Sequence, residues 1–218
     1  MQLEQTDDGS YTLYVPELEE HYHSIKGALT ESEHIFINMG MKHFRGDDVR
    51  ILEIGFGTGL NAFLTLLEAD KEGRNVYYSS IERYPIPLET VEKLQYPELI
   101  CPERADDFNA LHKAAWNTDV HITSRFTLNK IEDDFTTYRF KPGYDVIYFD
   151  AFAPEKQPEM WNQELFDALY GCLNKGGVLT TYCAKGVVRR MLQASGFTVE
   201  RLPGPPGGKR EILRATKA

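Results

Sequence analysis

Apolar and polar positions along the chain alternate between strand-like and helix-like periods. Residues 50–54 (RILEI) form a short apolar run that ends on a glycine loop, as a buried strand does, and 60–69 set Leu60, Phe63, Leu64 and Leu67 at helical spacing. Residues 76–81 are β-rich and close on Glu82, and 85–94 read as a helix with Pro85 and Pro87 near its start. Two more strands are predicted over 126–131 and 144–149. A helix over 163–173 is expected to stop at Lys175-Gly176-Gly177, with a strand at 178–182 and a helix at 186–194 closed by Gly196. The chain ends in a predicted hairpin, 197–202 against 211–215, across a Pro/Gly loop. Strand and helix alternating in this way predict an α/β fold with a mostly parallel sheet, finished by a C-terminal antiparallel hairpin. Residues 1–49 are less periodic. They are expected to form a small N-terminal cap on a domain spanning 50–218, the two making one structural unit.

Composition narrows the class. A chain of 218 residues, 42% hydrophobic and 26% charged, can bury a sizeable globular core. No apolar run approaches the roughly 18 residues that cross a bilayer, and the acidic N-terminus lacks the pattern of a signal peptide. Cys101, Cys172 and Cys183 are too few and too scattered for a disulfide framework or a metal site. A cytoplasmic protein with neither a membrane partner nor a metal is expected. The net charge of −9 argues against a nucleic-acid partner, but its distribution is uneven. From Lys185 onward eight basic residues face only Glu200 and Glu211, a net of +6 against −15 for the rest. That pattern fits either one basic face or an ordinary solvated surface.

The glycine turn GFGTGLN, with Gly55, Gly57 and Gly59 and closing on Asn61, sits between a predicted strand and its helix. There backbone N–H groups and a helix N-terminus can approach a ligand closely. Glu82 lies 23 residues past Gly59 at the end of the second strand, where a carboxylate can accept both hydroxyls of a ribose. Dinucleotide loops usually read GxGxxG. This one reads ExGxGxG with Glu53 in front, a form typical of class I methyltransferases on a Rossmann-like sheet. An acidic, glycine-lined pocket suits the sulfonium of S-adenosylmethionine better than a pyrophosphate. The strand at 144–149 then delivers Asp150 to the carboxyl edge of the sheet, either to face a methyl acceptor or to cap a turn.

With these pieces in hand, the chain resembles the methyltransferase domain of the MnmC family nearly end to end. The matching stretches are HYHSIKGALTESEHIFI (21–37), ILEIGFGTGLNAFL (51–64), SIERYPIPLE (80–89), YPEL (96–99), DAFAPEKQPEMW (150–161), GGVLTTYCAKGVVRRMLQASGF (176–197) and GGKREILRA (207–215). The resemblance implies methyl transfer from S-adenosylmethionine to the primary amine of 5-aminomethyl-(2-thio)uridine at the wobble position of tRNA. Two departures stand out. The segment FTLNKIEDDF lacks the family's Gly-Asp pair near the adenine, which leaves contacts around Asn129 to Ile131 unassigned. The loop 203–208 reads PGPPGG rather than Gly-Phe-Gly. Many members also carry a fused flavin-dependent oxidase; this chain is expected to lack one and to receive its aminomethyl substrate from elsewhere.

Asp150 is the expected catalytic residue, as a positioning group or a general base. Tyr22, Ser24 and Glu31 are expected to cover the cofactor by resemblance alone. Phe152, Trp161 and Tyr182 are read either as stacking platforms for a splayed-out base or as core aromatics. Arg189, Arg190, Lys209 and Arg210 are candidates for the anticodon-stem phosphates. A methyltransferase for a small-molecule or protein amine and an NAD-dependent oxidoreductase remain the rival readings.

Overall fold

The computed structural model describes residues 1–218. Three short strands, β1 (Gln2–Gln5), β2 (Tyr11–Val15) and β3 (Glu20–His21), form an antiparallel sheet of their own. A helical rod follows, α1 (Ala28–Ser32) running directly into a wider π-helical stretch, Glu33–Met41. The central alternation is β4 (Asp48–Ile54), α2 (Leu60–Glu72), β5 (Asn75–Glu82), α3 (Leu88–Val91), α4 (Tyr96–Ile100), α5 (Ala105–Lys113), β6 (Asp119–His121) and β7 (Phe126–Glu132). It continues through β8 (Tyr144–Phe149), α6 (Gln163–Cys172), β9 (Leu173–Thr181) and α7 (Gly186–Ala194), and ends in the hairpin β10 (Thr198–Pro203) and β11 (Glu211–Thr216). The eight-stranded sheet has the order β10-β11-β9-β8-β4-β5-β7-β6. β9, β8, β4, β5 and β7 run parallel, whereas β11 and β6 pair antiparallel.

Side chains alternate across the strands and are buried on both faces, as a covered parallel sheet requires. Along β8, Val146 and Tyr148 join a core with Phe63 of α2, Phe108 of α5 and Phe36 of the N-terminal rod. Ile147 and Phe149 point the other way, to Phe166 and Leu169 of α6 and Leu192 of α7. The N-terminal rod therefore shares the central core, and the three-stranded sheet adds Leu13 of β2 to it.

Three local expectations change. Lys175-Gly176-Gly177 does not cap a helix: α6 ends at Cys172 and β9 begins at once, with Gly176 and Gly177 inside it. The terminal α6 carbonyls are met from the far end of the chain, where Lys217 Nζ donates to Tyr170 O and Leu173 O at 2.8 Å each. Gly177 is needed because a Cβ there would stand 2.8 Å from the Asp145 carbonyl oxygen, beside a register shift between β8 and β9. The helix expected over 85–94 shrinks to α3 and one 3₁₀ turn, Glu92–Leu94, since Pro87 excludes the helical conformation at Ile86. Residues 95–125, which carry no clear period, hold α4, α5 and the edge strand β6.

Arg74, just past α2, fastens the N-terminal rod to the sheet. Its guanidinium donates to Gly46 O (2.9 Å), Met41 O (3.0 Å) and Phe44 O (3.0 Å). Arg74→Met leaves three carbonyls without a donor and is expected to lower stability by about 2–4 kcal/mol, read as a lower urea midpoint. Arg74→Lys should recover only part of it, because an ammonium cannot reproduce the planar fork. An unchanged midpoint in Arg74→Met contradicts this anchoring role.

Candidate active site

Strand order reverses between β4 and β8, and a cavity of about 620 Å³ opens at the carboxyl ends of the strands there. Its floor comes from the strand-end loops. Gly55, Phe56, Gly57 and Thr58 follow β4, Glu82 to Tyr84 follow β5, Asp133 to Thr136 follow β7, and Asp150 to Ala153 follow β8. Tyr182 and Lys185 after β9 close one side, Lys209 reaches in from the β10–β11 loop, and Tyr22, His23, Ser24 and Glu31 cover it from the N-terminal segment.

The glycine turn is held from two directions. Glu82 accepts from the N–H of Gly57 (3.1 Å) with one oxygen and from that of Tyr84 (2.7 Å) with the other. A carboxylate is thus pinned at the mouth of the turn. Gly57 has φ +48 and lies against the Tyr22 ring, 3.0 Å from where a Cβ would be. Gly59, also left-handed, does not line the cavity: its missing side chain makes room for His112, whose Nε2 donates to Thr58 O. His23 Nε2 meets Thr58 Oγ1 at 2.8 Å, and burial holds that imidazole down at about 4, hence neutral.

Glu53 does not reach the cavity either. It is fully buried beneath the turn, where Ser80 Oγ donates to it at 2.6 Å. Burial pushes its carboxyl up to about 8, so at neutral pH it is mostly protonated and adds little negative charge to the site.

Asp150 is the reactive-looking group. Asn61 Nδ2, in the first turn of α2, donates to its Oδ2 at 2.9 Å. Burial pushes the Asp150 carboxyl up to about 7 and the nearby Glu31 carboxylate adds to the rise, while Asn61 and the Lys209 ammonium oppose it. The group stands poised between protonation states near neutral pH. Around it, Phe152 packs edge-on to Tyr22 with centroids 5.1 Å apart, and the Tyr182 hydroxyl donates to Ala151 O at 2.8 Å.

The remaining expected residues divide. Trp161 is only 6% exposed, packs edge-on to Phe149 in the core and donates its Nε1 proton to Phe152 O, so it supports the loop from below. Lys209 pairs with Glu31 at the opening of the cavity. Arg189, Arg190 and Arg210 lie outside the cavity lining. The positive C-terminal stretch is largely neutralised, because Lys185, Arg201, Lys209 and Arg214 pair with carboxylates and Lys217 caps α6. Asn129 to Ile131 are enclosed in β7, with Asn129 bound to Asp119 and Lys130 to His112 O. The lining on that side comes from Asp133 to Thr136, two residues further on, which sequence reading passed over. The acidic pair Asp133-Asp134 at a strand end was the available signal. No group of three or more His, Cys, Asp or Glu side chains is placed to hold a metal, and no helix is long and apolar enough to cross a membrane.

Comparison with known proteins decides the family. A model of the S-adenosyl-L-methionine-dependent methyltransferase family matches residues 109–218, half of the chain. The chain belongs to this methyltransferase family. Its cofactor is S-adenosylmethionine, and the cavity suits it: a glycine cradle open to backbone approach, a pinned carboxylate for a ribose and a volume in the range of small-molecule sites. The methyltransferase is 31% identical to the tRNA 5-methylaminomethyl-2-thiouridine biosynthesis bifunctional protein MnmC of Cupriavidus metallidurans, covering 96% of this chain and 33% of that protein. It is 32% identical to the protein of the same name from Pseudomonas syringae pv. syringae, covering 89% and 31%. The chain thus spans about a third of the length of these relatives. Among solved structures, MNMC2 from Aquifex aeolicus superposes with a TM-score of 0.75 at 25% identity, over 99% of this chain and 70% of that one. Spermidine synthase from Thermotoga maritima shares the fold at a TM-score of 0.60 and 17% identity, over 100% and 72%.

Glu82→Gln keeps the size of the side chain but removes its charge and one of the two acceptors that Gly57 and Tyr84 use. We expect S-adenosylmethionine to bind about tenfold more weakly, measured by calorimetry on the folded protein. Unaltered affinity would remove Glu82 from the cofactor site.

Proposed function

We propose that this methyltransferase methylates the exocyclic primary amine of 5-aminomethyl-(2-thio)uridine at the tRNA wobble position, giving 5-methylaminomethyl-(2-thio)uridine. The observation that carries the reading is Asp150. It is a carboxylate raised to about 7, aimed by Asn61 and set in the same cavity as the glycine turn. The naming of the relatives points the same way.

Gly55, Gly57, Asn61 and Glu82 would hold the cofactor, with Tyr22, Ser24 and Glu31 above it. Bound there, S-adenosylmethionine supplies an electrophilic methyl group on a positively charged sulfur. A primary alkylamine is mostly protonated at neutral pH, and only its neutral form has a lone pair to donate. A carboxylate with its affinity for protons raised to about 7 is a better acceptor for the amine proton than an ordinary aspartate near 4, and it also orients the nitrogen. Phe152 offers a face for a splayed-out base, with Tyr84 exposed at the rim, whereas the Tyr182 ring is covered by the Lys209 ammonium. Arg189, Arg190 and Arg210 have no carboxylate partner and remain available to backbone phosphates. A tRNA substrate places the enzyme in the cytoplasm.

The direct test incubates the protein with labelled S-adenosylmethionine and tRNA from cells lacking the modification, followed by nucleoside analysis. Label in 5-methylaminomethyl-(2-thio)uridine is the expected result; label only in small-molecule or protein amines contradicts the reading. Asp150 gives turnover a sign with pH. Below about 7 its carboxyl keeps its proton and cannot take another, so turnover should fall as pH drops through that value. Asp150→Asn should lower turnover by about 100-fold or more and abolish that inflection, with cofactor affinity retained. An Asp150→Asn enzyme with the wild-type profile removes Asp150 from proton transfer.

A further inference from the structure

Lys209 puts a primary ammonium inside a cavity that we read as handling primary amines. Its Nζ lies 2.5 Å from Glu31 Oε1 and 4.4 Å from the centre of the Tyr182 ring. Both partners are fixed by other bonds. The second Glu31 oxygen accepts the Ser24 N–H at 2.8 Å, and the Tyr182 hydroxyl is tied to Ala151 O, which holds the ring face toward the cavity. A carboxylate opposite an aromatic face is a chemically complete receptor for an alkylammonium, combining a charge-assisted hydrogen bond with a cation–π contact.

The pair is asymmetric. The Glu31 side chain is 9% exposed and that of Lys209 38%, so the anion is embedded and the cation sits at the opening. Lys209 also comes from a loop between two strands, whereas Glu31 belongs to the rod packed on the sheet. Withdrawing the lysine therefore costs the scaffold little, but leaves a buried carboxylate that needs another cation.

We propose that Glu31 and the ring of Tyr182 form a primary-ammonium subsite, which Lys209 fills until the ammonium of a ligand takes its place. The inference rests on the cavity being an amine-methylating site. Two ligands carry such a group: the acceptor amine, and the methionyl end of the cofactor. Tyr182 and Lys209 lie on the β9 and β11 side of the cavity, away from Glu82.

The test is calorimetry on the full chain, wild type and Lys209→Met, with n-butylammonium and with S-adenosylhomocysteine, and with n-butanol as the uncharged control. If the subsite serves the acceptor, Lys209→Met binds n-butylammonium about tenfold tighter than wild type with S-adenosylhomocysteine saturating. If it serves the cofactor, the variant binds S-adenosylhomocysteine about tenfold tighter, and n-butylammonium tighter only in its absence. In either case adding Glu31→Gln erases the gain, n-butanol gains nothing, and Lys209→Arg, which keeps the ion pair, binds no tighter than wild type. The proposal is overturned if neither ligand gains in Lys209→Met, or if the gain survives Glu31→Gln. Far-UV circular dichroism establishes that each variant is folded. Because the readout is binding of small ions, a wild type that fails to methylate tRNA while these affinities shift as stated defeats the proposed function and leaves the subsite standing.

Discussion

β4 and β8 pair in parallel from Ile51 opposite Val146 to Ile54 opposite Phe149, and the whole cavity hangs on the point where they part. One step further, the Asp150 N–H still donates to Ile54 O at 3.3 Å, while on the other side the Gly55 N–H donates to Ile81 O at 2.9 Å. Three loops therefore leave the sheet at one level, and their first polar groups, the glycine turn, Glu82 and Asp150, share a single opening. A slip of one residue in the β4–β8 register would turn Asp150 to the opposite face and dismantle the site. In the observed register Val146 and Tyr148 pack on the α2 side and Ile147 and Phe149 on the α6 side, and a slip would exchange the two sets.

Burial makes two carboxyls at these strand ends, Glu53 and Asp150, less willing to ionise, and the site uses them differently. Glu53, sealed beneath the turn, is pushed to about 8 and acts as a mostly neutral packing and hydrogen-bonding group. Asp150, at the cavity floor, is pushed only to about 7, partly because the Asn61 amide and the Lys209 ammonium favour its charged form. Glu31 keeps a cation beside it. Of the two raised carboxyls only Asp150 lines the cavity, which gives the site one group able to exchange a proton near physiological pH.

Much of this was legible in the amino-acid sequence. The alternation of strand and helix, the glycine turn after the first long strand and Asp150 at the end of the most apolar one follow from local period and loop chemistry. What was not legible depends on contacts between distant parts of the chain. α6 stops without its own glycine cap because Lys217, 45 residues on from Cys172, meets its carbonyls. Trp161 and Phe152 look equivalent as aromatics in one loop, but only packing against Phe149 decides that Trp161 is core. The basic C-terminal stretch fits either a basic face or a solvated surface until Glu155, Glu200, Glu211 and Glu31 are seen to pair with four of its eight basic residues. Glu53 belongs to a recognisable cofactor pattern, yet it is buried against Ser80 and does not line the cavity.

The arrangement of three strand ends around one cofactor is tested most directly by a crystal structure of the chain with S-adenosylhomocysteine. The expected result is a ribose whose hydroxyls lie within hydrogen-bond distance of Glu82, an amino-acid tail along the turn from Gly55 to Gly57, and a sulfur facing Asp150. A ligand seated outside this cavity, or inside it with its ribose away from Glu82, would contradict the account.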